Sequence, residues 1–316
     1  MPHHEALLPP QVRGPQPRRR SARVSPALPL ALVLSLGVPS ASGLAAPPQE
    51  RANNDGGAAA ELASRGVTFY APFDGDPVAQ YARGNPRPTF MDGVRWVDGK
   101  FGRAVLTRMS REATLGKIKG RATGLSYDAA GHLYGERGTL AYWFKPLYDA
   151  DDPTIRSGYN STGPYLINVS ALEDTYARQF IRANIKGGSL YLWVVDLAGK
   201  SHGVNYREGI DTWKAGDRRH IVITWDATKG MRFYDNGEVQ PSKWGRDAFR
   251  PATPWRIGVG SRGPTSRPQW TNQADAVFDE LVMLDRSVSS DEVALIMQGR
   301  LSELDSARPA AFNVRS

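Results

Sequence analysis

The stretch His220-Ile-Val-Ile-Thr-Trp-Asp226, followed by Met231-Arg-Phe-Tyr234 and Asp235-Asn-Gly-Glu238, decides the fold. Its first run alternates with a period of two and ends on an acidic turn residue, the signature of a strand with two different faces. Asn236-Gly237 is the strongest short hairpin signal, because a type I′ turn needs positive φ at both central positions. After a Pro- and Gly-rich interval over 241–272 comes Val277-Phe-Asp-Glu-Leu-Val-Met-Leu284, again rich in β formers. Short runs broken by turns, without alternating helices, predict an all-β chain folded as a two-sheet antiparallel sandwich.

Working outward, Val67 to Phe73 reads as the first strand, and Asp74-Gly-Asp-Pro77 turns out of it. Gly102 to Thr107 and Ala113 to Gly116 are short strands. Gly138 to Lys145 places Leu140, Tyr142 and Phe144 on one face and Ala141 and Trp143 on the other. Tyr165 to Ser170, Gln179 to Ile185 and Leu190 to Leu197 continue the series, the last two joined as a hairpin by Lys186-Gly-Gly-Ser189. One short helix near the C-terminus is expected. Ser289 or Ser290 caps it, Asp291 and Glu292 occupy its first turn, Val293, Ile296 and Met297 form its stripe, and Gly299 stops it. These signals divide the chain into a leader over 1–45, a disordered linker over 46–65, the sandwich over 66–302 and a loose tail over 303–316.

The leader has a clear physical character. Arg18-Arg-Arg20 and Arg23 precede the apolar run Ala27 to Val38, and small residues follow from Ser40 to Ala46. That order reads as a signal peptide cleaved before Ala46, since the apolar run is too short for the ~20 residues of a membrane span. The expected destination is secreted or periplasmic, by the general secretory route or, given the paired arginines, the twin-arginine route. Loss of residues 1–45 lowers the net charge from +8 to +4, and no basic run remains. Nucleic acid is therefore not an expected partner. The absence of cysteine leaves stability to the core alone and removes any cysteine-based zinc framework.

Four segments, in order, carry a resemblance to a known family. Asp98-Gly-Lys-Phe-Gly-Arg-Ala-Val105 resembles G-K-F-G-x-A, and Glu136-Arg-Gly-Thr-Leu-Ala-Tyr-Trp-Phe-Lys-Pro146 resembles G-T-x-x-x-W-x-K-P. His220 to Asp226 with Phe233 to Gly237 is similar to W-H-H-V-x-x-x-x-D followed by L-Y-V-N-G, with Arg218-Arg219 where Trp-His is usual. Phe278 to Val293 resembles I-D-E-x-x-x-x-x-R-x-L-S-x-x-E-I. Together they resemble the laminin-G-like jelly rolls of the concanavalin A-like lectin and glucanase superfamily, over roughly residues 67–300. The resemblance implies the jelly-roll sandwich, with a fold that hosts several functions.

Hydrolases on this scaffold align acidic residues along one strand, so that two carboxyls stand ~5–5.5 Å apart. No such string occurs; Asp279 and Glu280 are adjacent and would point to opposite faces of a regular strand. The Arg-x-Glu-x-Arg, Gln-x-His and Tyr-x-Lys-x-Gly patterns of lyases are also missing. His220 reads as a strand-edge hydrogen-bonding residue, and His132 and His202 as turn residues. The resemblance implies a structural Ca²⁺, for which Asp74, Asp76 and Asp279 are the candidate ligands; a plain turn and a backbone acceptor are the alternative roles. Trp143, Trp193 and Trp225 are expected in the core.

Trp244, Trp255 and Trp270 stand in the loop-rich interval, together with Arg246, Arg250, Arg256, Arg262 and Arg267. Aromatic faces stack on sugar C–H faces, and arginine forks onto carboxylates or sulfates. The expected function is therefore a secreted, non-catalytic module binding a glycan, an anionic one foremost, through Trp244, Trp255, Trp270, Arg256 and Arg262. A polysaccharide lyase or hydrolase with an unrecognised site, and an adhesive module for an extracellular protein, are the competing classes.

Overall fold

The computed structural model describes residues 48–108, 124–152, 164–171, 174–186, 189–198, 200–206, 212–240, 248–260 and 274–306. A helix α1 (Pro48–Ser64) precedes β1 (Val67–Ala71), β2 (Tyr81–Ala82), β3 (Phe90–Asp92), β4 (Arg95–Asp98), β5 (Arg103–Thr107), β6 (Gly124–Asp128), β7 (Arg137–Pro146) and β8 (Tyr165–Ala171). There follow β9 (Asp174–Lys186), β10 (Ser189–Val195), β11 (Ser201–Tyr206), β12 (Arg219–Asp226), β13 (Gly230–Asp235), β14 (Glu238–Val239), β15 (Pro254–Val259) and β16 (Ala276–Leu284). Helix α2 (Ser290–Met297) and a 3₁₀ turn at Leu301–Glu303 complete the described chain.

The strands form two antiparallel sheets. The first runs β14-β13-β12-β7-β16-β1-β2, with β5 also on β16 and β4 on β5. The second runs β11-β10-β9-β8-β15-β6-β3. Asn236 at φ 51° and Gly237 at φ 84° supply the two left-handed residues of the expected hairpin, closed by the pair Asp235 and Glu238. Lys186 stands opposite Ser189, as the Gly-Gly linkage requires.

Alternation builds the core. Leu140, Tyr142 and Phe144 of β7, Ile221, Ile223 and Trp225 of β12, and Phe278, Leu281 and Met283 of β16 face inward. They meet Leu125, Tyr127, Val169, Phe180, Ile181, Leu192, Ile257 and Val259 of the second sheet. Each fully buried side chain of this size contributes roughly 1.5–3 kcal/mol, so this layer is the principal source of stability.

The outer face of the first sheet is covered. Ala141, Val222, Tyr234, Val282 and Leu284 pack beneath Val288, Val293, Ile296, Leu301 and Leu304. Helix α2 takes its place through a complete capping box, in which Ser289 Oγ accepts from Glu292 N and Glu292 Oε2 accepts from Ser289 N. Thr224 Oγ1 accepts from Val288 N at 3.2 Å, tying the approach of α2 to β12.

Two expectations about the ends are corrected. The segment expected as a linker over 46–65 is helical across Pro48–Ser64, because Ala58-Ala-Ala-Glu-Leu-Ala63 are strong helix formers and Leu62 packs on the outer cluster. The chain after Ser302 does not become loose at once. Leu304 is fully buried, and its carbonyl accepts from Arg65 Nη1 at 2.8 Å. The leader over 1–45 and the strand expected over Ala113 to Gly116 lie outside the described residues.

Ser289→Ala removes one half of the capping box, and unfolding in urea should show a loss of about 1 kcal/mol.

Candidate functional site

Strand β16 carries one extra residue. Its register on β7 shifts between Asp279 and Val282, and Glu280 sits at φ 51°. Phe278 and Leu281 both face the core, so the two residues between them both leave on the outer face. This overturns the expectation that Asp279 and Glu280 diverge. Alternation holds only where every residue advances the ladder by one, and a β-bulge inserts a residue that does not.

The bulge organises the turn between β4 and β5. Asp279 Oδ2 accepts from Lys100 N at 2.6 Å and Phe101 N at 3.2 Å, and Asp279 Oδ1 accepts from Glu280 N at 3.0 Å. Asp74 Oδ1 accepts from Arg103 N at 2.8 Å. The two carboxylates press so closely on the turn that a Cβ at Gly99 would stand 2.3 Å from Asp279 Oδ2, and the Cβ of any residue replacing Gly102 would meet Asp74 Oδ1 at 1.9 Å. Phe73, buried and at φ 60°, shares the left-handed conformation with Glu280 and places Asp74 here. Glu280 Oε2 accepts from Tyr70 Oη at 2.8 Å.

These residues bear on the calcium expectation. The fold brings Asp74 and Asp279 to one turn, whereas Asp76 Oδ1 accepts from Val78 N in a turn of its own. Among the described residues no group of three His, Cys, Asp or Glu side chains converges in a way that would hold a metal ion. The Asp279 carboxylate is committed to three backbone N–H donors. As a set, Asp74, Asp76 and Asp279 do not fit the several converging oxygens that Ca²⁺ needs.

Burial dominates the titration of the acids. It pushes Asp279 up to about 6, assisted by the charge of Asp74 and opposed by the three N–H donors. It pushes Glu280 up to about 7, against the hydrogen bond from Tyr70 and with the charges of Asp279 and Asp74 adding to the rise. Burial likewise drives His220 down to about 3, so its imidazole is neutral at physiological pH.

The second sheet presents a different outer face. Strand register aligns Ser126, Gly258, Asn168 and Arg182 in one row across β6, β15, β8 and β9, and Trp193 and Gly203 continue it on β10 and β11. Tyr165, Asn184, Tyr191 and Asn205 make a second row. The guanidinium of Arg182 lies 5.2 Å from the Tyr165 ring centre, and that of Arg256 lies 4.7 Å from the Trp255 ring centre. Arg256 Nη2 stands 3.7 Å from Asp128 Oδ1. Ser126, Tyr165, Asn168 and Asn184 are buried, while Tyr191, Arg182, Arg256 and Trp255 are half-buried.

The profile described as the concanavalin A-like lectin/glucanases superfamily matches residues 120–294. The chain belongs to that superfamily. The binding domain of botulinum neurotoxin serotype D superposes with a TM-score of 0.53 at 14% identity, over 76% of this chain and 53% of that one. The binding domain of Paraclostridial Mosquitocidal Protein 1 gives a TM-score of 0.50 at 15% identity, over 76% and 53%. Domain 4 of AbnA, an extracellular arabinanase of Geobacillus stearothermophilus solved with arabinotriose, gives 0.49 at 18% identity, over 73% and 98%. The chain thus spans about half the length of the chains of those two binding domains. No curated protein matches it.

Within this superfamily fold, the residues expected to act divide into three groups. Trp255 and Arg256, expected in a loop, lie on β15 of the second sheet, because Pro254 opens that strand and Ile257 and Val259 anchor it in the core. Trp244, Trp270, Arg246, Arg262 and Arg267 lie outside the described residues. The described histidines are interior: His202 is buried on β11 with Nε2 2.8 Å from Asp196 Oδ2, His132 contacts the Asn85 carbonyl at 3.1 Å, and His220, the second residue of β12, is buried. Trp225 is a core residue as expected; Trp143 is buried on the outer face instead. The polar rows went unread in the sequence, although Asn168 and Ser170, and Arg182 and Asn184, recur with a period of two among apolar neighbours.

Because their folded pKa values are raised, the buried acids favour the fold fully below about pH 4 and lose that contribution as pH rises through 6 to 7. Glu280→Gln keeps an acceptor for Tyr70 and should gain about 1–3 kcal/mol at pH 8, the gain vanishing near pH 4 in urea unfolding. Gly102→Ala should lose at least ~2 kcal/mol, since the new methyl meets Asp74 and φ is positive.

Proposed function

We propose that this chain is an exported, non-catalytic module that binds a glycan on the outer face of its second sheet. One observation carries the reading: that face carries the half-buried side chains of Arg182, Tyr191, Trp255 and Arg256, guanidinium and aromatic groups on neighbouring strands. Guanidinium groups match the hydroxyls and acidic groups of a sugar, and tyrosine and tryptophan rings match its C–H faces. The arginine and aromatic pairs, Arg256 on Trp255 and Arg182 on Tyr165, favour an anionic glycan.

Two observations weigh against the competing classes. The adjacent carboxyls Asp279 and Glu280 are 2% and 8% exposed and are tied to a turn and to Tyr70, which suits a structural duty better than attack on a polymer. Among the described residues the exposed large hydrophobics Met91, Phe101 and Val239 stand on three separate elements, which does not make the contiguous apolar patch of a protein-docking face. Export rests on the leader sequence, and no described helix is long and apolar enough to cross a membrane.

A glycan array in low salt should show retention of at least one acidic polysaccharide by the wild type, weakened about tenfold by Tyr191→Ala and by Arg256→Ala with melting temperatures close to wild type. Equal retention by both variants would move the site off this face. Release of new reducing or unsaturated ends from a uronate polymer would replace the binding reading with catalysis.

A further inference from the structure

The first sheet carries a shallow, solvent-open recess beyond the end of the apolar cover, between the strand ends of β7, β12 and β16 and the turn that joins β4 to β5. Lys100, Lys145, Arg218 and Trp143 line it, with Asp98 and Asp279. Alternation explains the gathering. Lys145 follows Trp143 by two positions on the outer face of β7, Arg218 precedes outward-facing His220 by two, and the Asp279 bond holds Lys100 at the turn.

Among the described residues the cations of this recess form no ion pair: none of Lys100, Lys145 and Arg218 has a carboxylate oxygen within 4.0 Å. Lys100 Nζ lies 4.7 Å from the Trp143 ring centre, and Arg218 Nη2 donates to the Gly99 carbonyl at 2.9 Å. Asp279 has its oxygens on backbone N–H groups, which leaves Asp98 as the lining acid without such a commitment. Trp143 is 8% exposed, and its indole Nε1–H is buried without an acceptor among the described residues. Three cations at one recess repel one another, and an oxyanion relieves that repulsion.

We infer that this recess is an anion site, separate from the second-sheet face, that takes the sulfate or carboxylate group of an acidic saccharide. Phe101, at the same turn and 37% exposed, stands 5.6 Å from Lys100 Nζ and offers a ring beside the charges. A charged group in the recess with the C–H face of its sugar on Phe101 uses both features at once, whereas an acidic peptide would use only the charge. The inference does not depend on the glycan reading of the second sheet, because it shares no residue with it.

The test is isothermal titration of the purified protein in low salt with a sulfated, uronate-containing hexasaccharide, its desulfated counterpart, a neutral hexasaccharide and an acidic hexapeptide. The sulfated sugar should bind, and Lys145→Gln combined with Arg218→Gln should weaken it about tenfold while thermal melting stays near wild type. Binding by the desulfated sugar as well assigns the carboxylate as sufficient; binding by the sulfated sugar alone assigns the sulfate; either supports the site. Tyr191→Ala should leave this binding in place. Absence of binding, equal binding of the neutral sugar or the acidic peptide, or unchanged affinity in the double variant overturns it, and affinity lost only in Tyr191→Ala overturns it while leaving the second-sheet reading intact.

Discussion

One additional residue in a central strand determines how the first sheet meets its surroundings. By bulging at Asp279 and Glu280, β16 turns two acids to the same side, and the backbone must adopt a left-handed conformation at Glu280. That conformation costs a non-glycine residue roughly 1–2 kcal/mol, and burying the carboxyls adds to the cost. Against this stand the N–H groups of Lys100, Phe101, Glu280 and Arg103, donated to Asp279 and Asp74. Hydrogen bonds to charged acceptors contribute roughly 1.5–3 kcal/mol each, so the set outweighs the local strain. The turn is locked, and Lys100 is set over Trp143.

The two outer faces have been put to different uses. On the first sheet the hydrophobic stripe of α2 and the leucines of the last turn close most of the surface, and polar groups gather only where that cover ends. On the second sheet the described strands carry asparagine, serine, arginine and tyrosine outward in register. A sandwich buries one face of each sheet regardless; what distinguishes members of such a fold is what the other faces are made to display.

Much of this was legible from residue order. Asn236-Gly237 specified its turn because few other dipeptides tolerate two positive φ values, and Ser289 with Glu292 specified the start of α2 through mutual capping. Other features depend on contacts between distant segments. The bulge in β16 leaves no mark in Val277 to Leu284, since Glu280 is an ordinary residue in an extraordinary conformation imposed by Asp74 and the turn at Gly99. Trp255 read as a loop residue because its neighbours include prolines, yet the bulge between Pro254 and Arg256 accommodates them in a strand. Helix α1 was hidden by Gly56-Gly57 and Asn53-Asn54, and its C-terminal half is held by packing of Leu62 that no local propensity reports.

Arg286 joins parts of the fold that are far apart in sequence: its guanidinium donates to the carbonyls of Arg65 and Asp305 and pairs with Glu292, while Arg65 reaches the carbonyl of Leu304. The points at which the chain enters and leaves the sandwich therefore touch. A unit with adjoining entry and exit can be spliced into a surface loop of a host protein, or have its ends joined and be reopened elsewhere, without prying either partner apart.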